Sequence, residues 1–515
     1  MELNLDKNEI IICNIESMIG EQSFESDILL PDYYENIMKI LKCNVTPVIL
    51  KTNILGNKIT VDGIAIIKIY YQTIENKVKT ISSKVNFSKN FDLKDQINNA
   101  HVDSKISLDY VNCRAVDERK IDVKGALSIK IKIFCNNKEN ILLNASGVGL
   151  QIKKDNIKNM VITGNSNQFV IKEDLELENT KPDIGNIIRY DINTNITEKK
   201  VIENKIICKG EVLLKILYNP FKDENEEVVP VSVEFVLPIH NIIDFSGVEE
   251  RSNCEVSFND ILTEIIPKSD DNGKNRYFSV EIDFNINSKC NKEIESKVIV
   301  DAYSTLMDAK CLNKTLNCCK ILNQINEGIS VEANVTVPYT DNFKILDVWS
   351  IPKIVYSKKT DEGIDVEGKI ELSILGLEDG KPVYIEKFID FKKMLTIDNL
   401  KDGTINFDFD ITMLNINYNV NYDSIDLKLE LMLTGCVYES YSKNIIVDIE
   451  VDQSKVKERS LDDSLIIYYA QPGEDIWELA KRYNTSISAI LEENENIKDC
   501  TILEKTMLTI PIVAN

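Results

Sequence analysis

The sequence has few of the residues on which most enzyme active sites depend. Among its 515 residues there are two histidines, His101 and His240, so neither a Ser-His-Asp triad nor a histidine-based metal site is expected. It also lacks the Gly-x-x-x-x-Gly-Lys-Ser/Thr loop that cradles nucleotide phosphates. A glycosidase with paired carboxylates leaves no such signature, but we expect a non-enzymatic protein with no catalytic residues, cofactor or metal.

Long apolar runs and a basic N-terminal segment are also missing. The longest apolar runs, such as 64–67, are far too short to span a bilayer, and residues 1–9 have no features of a secretory signal. The 12 cysteines include no Cys-x-x-Cys pair, which disfavours a zinc ribbon or a thioredoxin-type redox site. We therefore expect a cytosolic protein, not an integral membrane one, whose thiols are reduced and buried.

The sequence has fewer positively charged than negatively charged residues. Asp and Glu number 83 against 60 Lys and Arg, and the net charge is −23. This charge disfavours nucleic acid and anionic lipid as main partners, whereas a basic surface on a partner protein would be attracted. Acidity that serves solubility alone is the simpler alternative.

Most of the sequence alternates apolar and polar residues with a period of two. Clear examples are the stretches at 59–71, 121–134 and 425–434. This period is typical of antiparallel strands that bury one face, and Asp-Gly pairs at 379–380 and 402–403 predict turns between strands. The sequence therefore predicts a mainly β fold.

A glycine-centred strand pattern occurs three times along the chain. Gly63, Gly210 and Gly368 each lie inside an alternating apolar run, where a glycine usually marks a bulge or a close backbone approach. Pro-Asp pairs at 31–32 and 182–183 precede the first two patterns and predict a turn or short helix that enters each repeat. We therefore expect three tandem antiparallel β domains.

Changes in composition suggest where these domains begin and end. We predict an N-terminal segment at 1–22, β repeats at 23–158, 165–320 and 326–452, a polar linker at 453–464 and a C-terminal module at 465–515. Each repeat is large enough to fold around a core of its own.

The C-terminal module has a different pattern, made of short elements. Strands are predicted at 465–469 and 507–510. Between them, Asp475 and Ser486 are placed to cap two helices, and the first helix has an apolar face with helical spacing within 476–483. The module is therefore predicted to be a small βααβ domain with a minimal core.

This module resembles the LysM domain across its whole length. The residues that carry the resemblance are the Pro-Gly turn at 472–473, Asp475, Ile476, Trp477, Ala480, Leu491, Asn494 and the segment 508–511. The resemblance implies binding of N-acetylglucosamine-containing glycans, such as peptidoglycan or chitin. The implied site is a shallow groove beside the first turn and the loop before the last strand.

The groove positions depart from the family pattern. Glu474 and Asp475 stand where the family usually has Asp-Thr, Glu495 replaces a proline, and Lys505 replaces a glycine. Backbone amides approach a sugar closely only where side chains are small, and the acids place charge where neutral hydroxyls would dock. A protein partner is therefore favoured, and glycan binding is the alternative.

Candidate contact residues follow from the resemblance and from the residue types. Trp is the type most enriched at binding hot spots, although a packed core position is an equal alternative for Trp477. The candidate partner-binding residues of the module are Leu465, Ile467, Gly473, Asp475, Trp477 and Asn494.

Three β repeats followed by one LysM domain resemble the SipL-type spore envelope morphogenetic proteins of clostridia, whose repeats are called SPOCS domains. The resemblance implies a scaffold for spore coat assembly, located in the mother-cell cytosol at the forespore surface. It also implies that the LysM domain binds the spore coat morphogenetic ATPase, with other coat proteins as further partners.

Overall fold

The alternating sequence forms strands along most of the chain. In the computed structural model the described residues are 3–94, 96, 100–147, 149–221, 229–337, 343–397, 404–421, 424–457, 465–497 and 500–512. Within these residues, antiparallel strands account for nearly all regular structure, and both helices lie near the C-terminus. The mainly β fold predicted from the sequence is confirmed.

The strands before the C-terminal module form three groups of six. The first repeat contains β1 (Asn4–Leu29), β2 (Ile37–Leu55), β3 (Lys58–Thr73), β4 (Val78–Asp92), β5 (Ala100–Ala115) and β6 (Lys120–Ser146). The second contains β7 (Leu150–Glu176), β8 (Ile184–Ile202), β9 (Lys205–Pro220), β10 (Val231–Asp244), β11 (Asn253–Ser269) and β12 (Asn275–Ser304). The third contains β13 (Met307–Thr336), β14 (Lys344–Lys359), β15 (Gly363–Glu378), β16 (Lys381–Thr396), β17 (Thr404–Val420) and β18 (Ser424–Val456).

Each repeat forms two three-stranded sheets with the same pairing scheme. The sixth strand lies between the first and the fifth, and the third lies between the second and the fourth. In the first repeat, Ile67, Tyr71 and Ile129 belong to the buried core of these sheets. The other two repeats have equivalent cores, around Tyr218 and Leu372. Each repeat is thus a two-layer antiparallel β domain.

The strands do not follow the boundaries predicted between repeats. β1 begins at Asn4 and includes most of the segment predicted at 1–22, while β7 and β13 run through the predicted junctions at 158–165 and 320–326. For the first two repeats the reason is that the Pro-Asp pairs follow the first strand of a repeat instead of preceding it. Strand pairing instead groups residues 4–146, 150–304 and 307–456.

The predicted linker at 453–464 also differs in part. β18 continues to Val456, so the first residues of that segment belong to a paired strand. Residues 458–464 lie outside the described residues.

The first and last strands of each repeat extend beyond its two sheets. There the first half of β1, β7 or β13 pairs with the second half of β6, β12 or β18, which gives three two-stranded ribbons. The ribbons pack on one another through buried aliphatic residues, and we call this bundle the stalk. Its core includes Ile12 and Ile141 from the first ribbon, Ile157 and Val298 from the second, and Leu316 and Ile445 from the third.

Asn159 links the backbones of the three ribbons. This buried side chain of the second ribbon donates a hydrogen bond to the carbonyl oxygen of Ile11 at 2.8 Å. Its own oxygen accepts from the backbone N–H of Cys13 at 3.4 Å and of Cys319 at 3.2 Å. A buried amide whose donor and acceptor are both satisfied stabilises one arrangement of its neighbours.

The repeats also meet through their second sheets. Tyr70 of the first repeat and Trp349 of the third pack in one buried cluster with residues of the second. Beside it, the Arg189 guanidinium lies 4.0 Å from the centre of the Trp349 ring and donates to Asp347 at 2.6 Å. Lys215 contacts the same carboxylate at 2.7 Å. A buried ion pair thus joins the second and third repeats.

The three strand glycines lie where a neighbouring strand bulges. Gly63, Gly210 and Gly368 each pair with a residue at a register shift in the preceding strand. A Cβ atom would come within 2.4 Å of a backbone carbonyl oxygen at Gly63 and Gly368, and within 2.3 Å at Gly210. The close backbone approach predicted for these glycines is confirmed.

Each Pro-Asp pair lies at or beside a turn that an arginine holds, Arg119 from the connection between β5 and β6 and Arg276 from the start of β12. Arg119 donates to the carbonyl oxygens of residues 30 and 31 at 3.2 and 2.7 Å. Arg276 donates to those of residues 177 and 178 at 3.0 and 2.7 Å. Of the two alternatives predicted at these segments, the turn is the one that forms.

The Asp-Gly pair at 379–380 joins β15 to β16, as predicted. Both residues have positive φ, 48° and 75°, as the common two-residue hairpin turn requires. The second predicted pair, at 402–403, lies outside the described residues.

The cysteines depart from expectation at one pair. Cys254 and Cys290 lie directly opposite each other on β11 and β12 and form a disulfide. The expectation of reduced thiols rested on spacing along the chain, which does not reveal a cross-strand neighbour. The other ten thiols are free; of these, Cys500 is exposed, and Cys113 and Cys311 are half-buried instead of buried.

Neither helix among the described residues has the length and apolar character needed to cross a bilayer. No group of side chains among them is suited to hold a metal ion.

Candidate binding site in the C-terminal module

The C-terminal module has the predicted order of elements. It consists of β19 (Leu465–Ala470), α1 (Ile476–Arg482), α2 (Ile487–Glu493) and β20 (Thr506–Pro511), with the two strands paired antiparallel. Asp475 caps α1 by accepting from the backbone N–H of Trp477 at 2.9 Å. Ser486 caps α2 in the same way, by accepting from the N–H of Ala489 at 3.1 Å. Both caps satisfy N–H groups that a helix end leaves unpaired.

The turn between β19 and α1 is closed by bonds within the module. Gly473 has a φ of 92°, which favours glycine, and its N–H donates to the carbonyl oxygen of Ile502 at 2.7 Å. The Glu474 carboxylate accepts from the N–H of Gln471 at 2.8 Å and from the Tyr468 hydroxyl at 2.7 Å. These bonds hold the pKa of Glu474 below its usual range. The charged Glu474 side chain therefore already uses two hydrogen-bond donors beside this turn, the Gln471 N–H and the Tyr468 hydroxyl.

Asn494 acts as an internal bridge. Its amide nitrogen donates to the carbonyl oxygens of Ile490 and Thr509, both at 2.7 Å. Its oxygen accepts from the N–H of Thr509 at 2.8 Å. The side chain therefore fixes the end of α2 to β20.

The outer side of the two-stranded sheet is apolar and uncovered. Leu465, Ile467 and Tyr469 alternate along β19 and are 50%, 64% and 61% exposed. Met507 lies opposite Tyr469 on β20 and is 55% exposed. Large apolar side chains that lie together in the open commonly mark an interaction site. We call these four residues the docking face.

The module rests on the second ribbon of the stalk through α1 and the turn that follows it. The Trp477 side chain is 3% exposed and packs edge-on against Tyr303, with ring centres 5.0 Å apart. The Tyr303 hydroxyl donates to the carbonyl oxygen of Thr485 at 2.7 Å. Tyr303 is itself part of the module's buried core, so a residue of the stalk completes that core.

Charged groups surround this aromatic contact. Asp301 accepts from the indole N–H of Trp477 at 2.7 Å and pairs with Lys481 at 2.7 Å. Lys153 pairs with Asp475 at 2.6 Å. Burial would raise the pKa of Asp301, but the bonds from Lys481 and Trp477 outweigh it and keep that pKa low. We call Lys153, Asp301 and Tyr303 the seat.

Three segments of the chain match known families. Two of them run from the second strand of a repeat into the fifth, and the third lies in the module. Residues 36–116 and 183–262 match the SPOCS domain of SipL, and residues 468–511 match the LysM domain. The chain carries SipL SPOCS domains and a LysM domain. The resemblance to SipL-type proteins drawn from the sequence is thereby confirmed. No match was found among the curated proteins or the solved structures.

The SPOCS matches leave out the stalk strands. They span β2–β5 and the region from β8 to the middle of β11, whereas the first and sixth strands of each repeat form the ribbons. The third repeat lies outside the matched segments, yet its six strands pair in the same order. SPOCS and LysM are non-catalytic binding or structural domains, and together they indicate a sporulation-related protein with a module of a peptidoglycan-binding type.

The structure distributes the six predicted contact residues of the LysM domain over separate places. Trp477 and Asp475 contact the seat, so neither is free to meet a partner in this arrangement. The others are Leu465 and Ile467 on the docking face, Gly473 in the closed turn and Asn494 inside the module.

Three residues of the module, and the three seat residues that meet it, were not predicted from the sequence. Tyr469 follows Leu465 and Ile467 in the same alternation, so the period of two was a sufficient signal for it. Met507 required the register of β20, and Lys481 required knowledge of the stalk. Of the three module residues, only Tyr469 could be recognised from its neighbours along the sequence.

Proposed function

We propose that this chain is a non-enzymatic scaffold of spore coat assembly, located in the mother-cell cytosol at the forespore surface. Its LysM domain recruits the spore coat morphogenetic ATPase through the docking face. The three β repeats hold that domain and supply surfaces for other coat proteins. The observation that carries the proposal is the exposed apolar side of β19 and β20.

The docking face has the composition of a protein interface. Leu465, Ile467, Tyr469 and Met507 are each half exposed or more, and aromatic residues and Met are enriched at such interfaces. Full burial of one large aliphatic side chain supplies about 1.5–3 kcal/mol. Four such side chains on one small sheet therefore suit a partner that presents an apolar surface.

The alternative is a glycan-binding LysM domain that recognises peptidoglycan of the cortex. The family match favours it, and Gly473 and Asn494 keep their family identities. Two hydrogen bonds argue against it, because they use N–H groups that a sugar would need. The N–H of Gly473 donates to Ile502, and the N–H of Gln471 donates to the Glu474 carboxylate. The charges at Glu474 and Asp475 also lie where a neutral sugar would dock. These features support a protein partner over a sugar.

The substitution Ile467→Asp in the full chain is expected to weaken ATPase binding by at least about 30-fold. The reason is that a charge at the centre of a docked apolar face removes a hot-spot contribution of roughly 2 kcal/mol or more. The affinity of the purified ATPase for the variant is measured by surface plasmon resonance.

The matched control is Ile242→Asp, because Ile242 is also an exposed isoleucine on a strand, 62% against 64%, but lies on β10 of the second repeat. This variant should bind with unchanged affinity. Equal affinities for the two variants would contradict the assignment of the docking face.

A further inference from the structure

The three ribbons of the stalk are equivalent by strand register. Each carries a register shift at the same level of its last strand, next to Leu143, Val300 and Val447. Each shift lies 16 residues after the sixth-strand residue at which the fifth strand has its own register shift, Leu127, Phe284 or Leu431. Bulges that recur at one level re-aim the side chains that follow them. The ribbons can therefore be compared position by position.

The seat exists on the second ribbon alone among these equivalent positions. The residue after the bulge is Asn144, Asp301 or Asp448 in the three ribbons, and its cross-strand partner is Asp6, Lys153 or Leu312. The residue two further on is Ser146, Tyr303 or Glu450. Only the second ribbon therefore combines an acid, a lysine and an aromatic ring at these positions, and these are the residues that contact the LysM domain.

Each seat residue contacts a different part of the LysM domain. Asp301 contacts the indole of Trp477 and the ammonium of Lys481, both on α1. Tyr303 contacts the backbone of Thr485, between the helices, and Lys153 contacts the capping residue Asp475. Contacts at separate points fix a rotation as well as a position.

A fourth contact comes from the end of the third repeat. The Lys457 ammonium donates to the carbonyl oxygen of Ser304 at 2.8 Å and to the side-chain oxygen of Asn484 at 2.7 Å. It thereby joins β18, the second ribbon and the LysM domain. The four residues of the docking face take no part in these contacts and remain exposed.

We propose that the seat holds the LysM domain in one orientation that presents the docking face away from the stalk, and that Trp477 and Lys481 are positioning residues for partner binding. The positioning role rests on the proposed function. The holding of the domain by the seat does not.

The test uses the full chain with spin labels on the exposed Cys500 and on a cysteine introduced at Lys138 of the first ribbon, which is 58% exposed on its side chain. Double electron–electron resonance then gives the distance between ribbon and domain. The seat variant is Asp301→Asn with Tyr303→Ser, which installs the residues of the first ribbon. The control is Asp448→Asn, the equivalent position of the third ribbon.

A second variant, Lys481→Met, distinguishes loss of the seat contacts from unfolding of the domain. Lys481 is 41% exposed at its side chain and lies outside the buried core of the domain, so its removal should leave the domain folded. We expect one narrow distance in the parent and the control, and a broadened distribution in the seat variant and in Lys481→Met. An unchanged distribution in both would overturn the proposal.

ATPase affinity is measured on the same samples. If one molecule in ten keeps the competent orientation, affinity should fall about tenfold. A broadened distribution with full affinity would overturn the positioning role while leaving the docking face intact. Failure of Ile467→Asp to weaken binding would instead overturn the proposed function and leave the distance result standing.

Discussion

Replacing Trp477 with alanine is expected to unfold the LysM domain while the three β repeats stay folded. The side chain is 3% exposed and packs among Ile476, Ala480 and Tyr303. Removing a buried tryptophan costs about 3–5 kcal/mol, and a core this small rarely supplies more than roughly that amount. The substitution therefore removes most of the stability of the domain.

Hydrogen exchange of the backbone amides in α1 and α2 measures this effect. Their protection should be lost in Trp477→Ala, whereas the amides of β3, β9 and β15 should exchange as in the parent. The control is Trp477→Phe, which keeps an aromatic ring in the core but lacks the N–H that bonds Asp301. It should keep protection in both helices. Full protection in the alanine variant would contradict the assignment of Trp477 to the core of the domain.

Replacing Asp347 with alanine is expected to destabilise the contact between the second and third repeats by about 3–5 kcal/mol. Removing one partner of a buried pair leaves the other charge uncompensated, and its desolvation then dominates. Asp347 is 1% exposed and Arg189 is 5% exposed at the side chain. Arg189 keeps an ion pair with Asp191, but this acid is 44% exposed and therefore compensates the buried charge only in part. The free energy of unfolding in urea measures the loss.

Two further variants test whether the buried ion pair causes this loss of stability. Glu327→Ala removes an exposed pair with Lys393, 3.1 Å apart, and should cost less than about 1 kcal/mol. Arg189→Met combined with Asp347→Leu replaces the pair by apolar groups and should recover most of the loss. A cost for Asp347→Ala no larger than that for Glu327→Ala would contradict the role given to this pair.

The parts of the fold that depend on neighbours along the chain could be predicted from the sequence. Asp475 and Ser486 cap their helices by bonding to residues two and three positions later. The period of two identified strands for the same reason, because alternation is read within a few residues. The strand glycines were also recognisable, since a glycine inside an apolar strand usually marks a bulge or a close backbone approach.

The parts that depend on distant residues could not be predicted. The stalk exists because Asn4 pairs with Ser146, and no local pattern gives that register. Trp477 and Asp301 are 176 residues apart, so the sequence left open whether this tryptophan is core or contact. Cys254 and Cys290 likewise become neighbours only when β11 pairs with β12.

We propose that this LysM domain docks a protein and not a sugar. The most direct test incubates the full chain in parallel with the purified coat morphogenetic ATPase and with peptidoglycan sacculi, and measures the bound fraction in each. We predict capture by the ATPase, reduced in Ile467→Asp, and no retention on sacculi. Retention on sacculi without capture by the ATPase would contradict this claim.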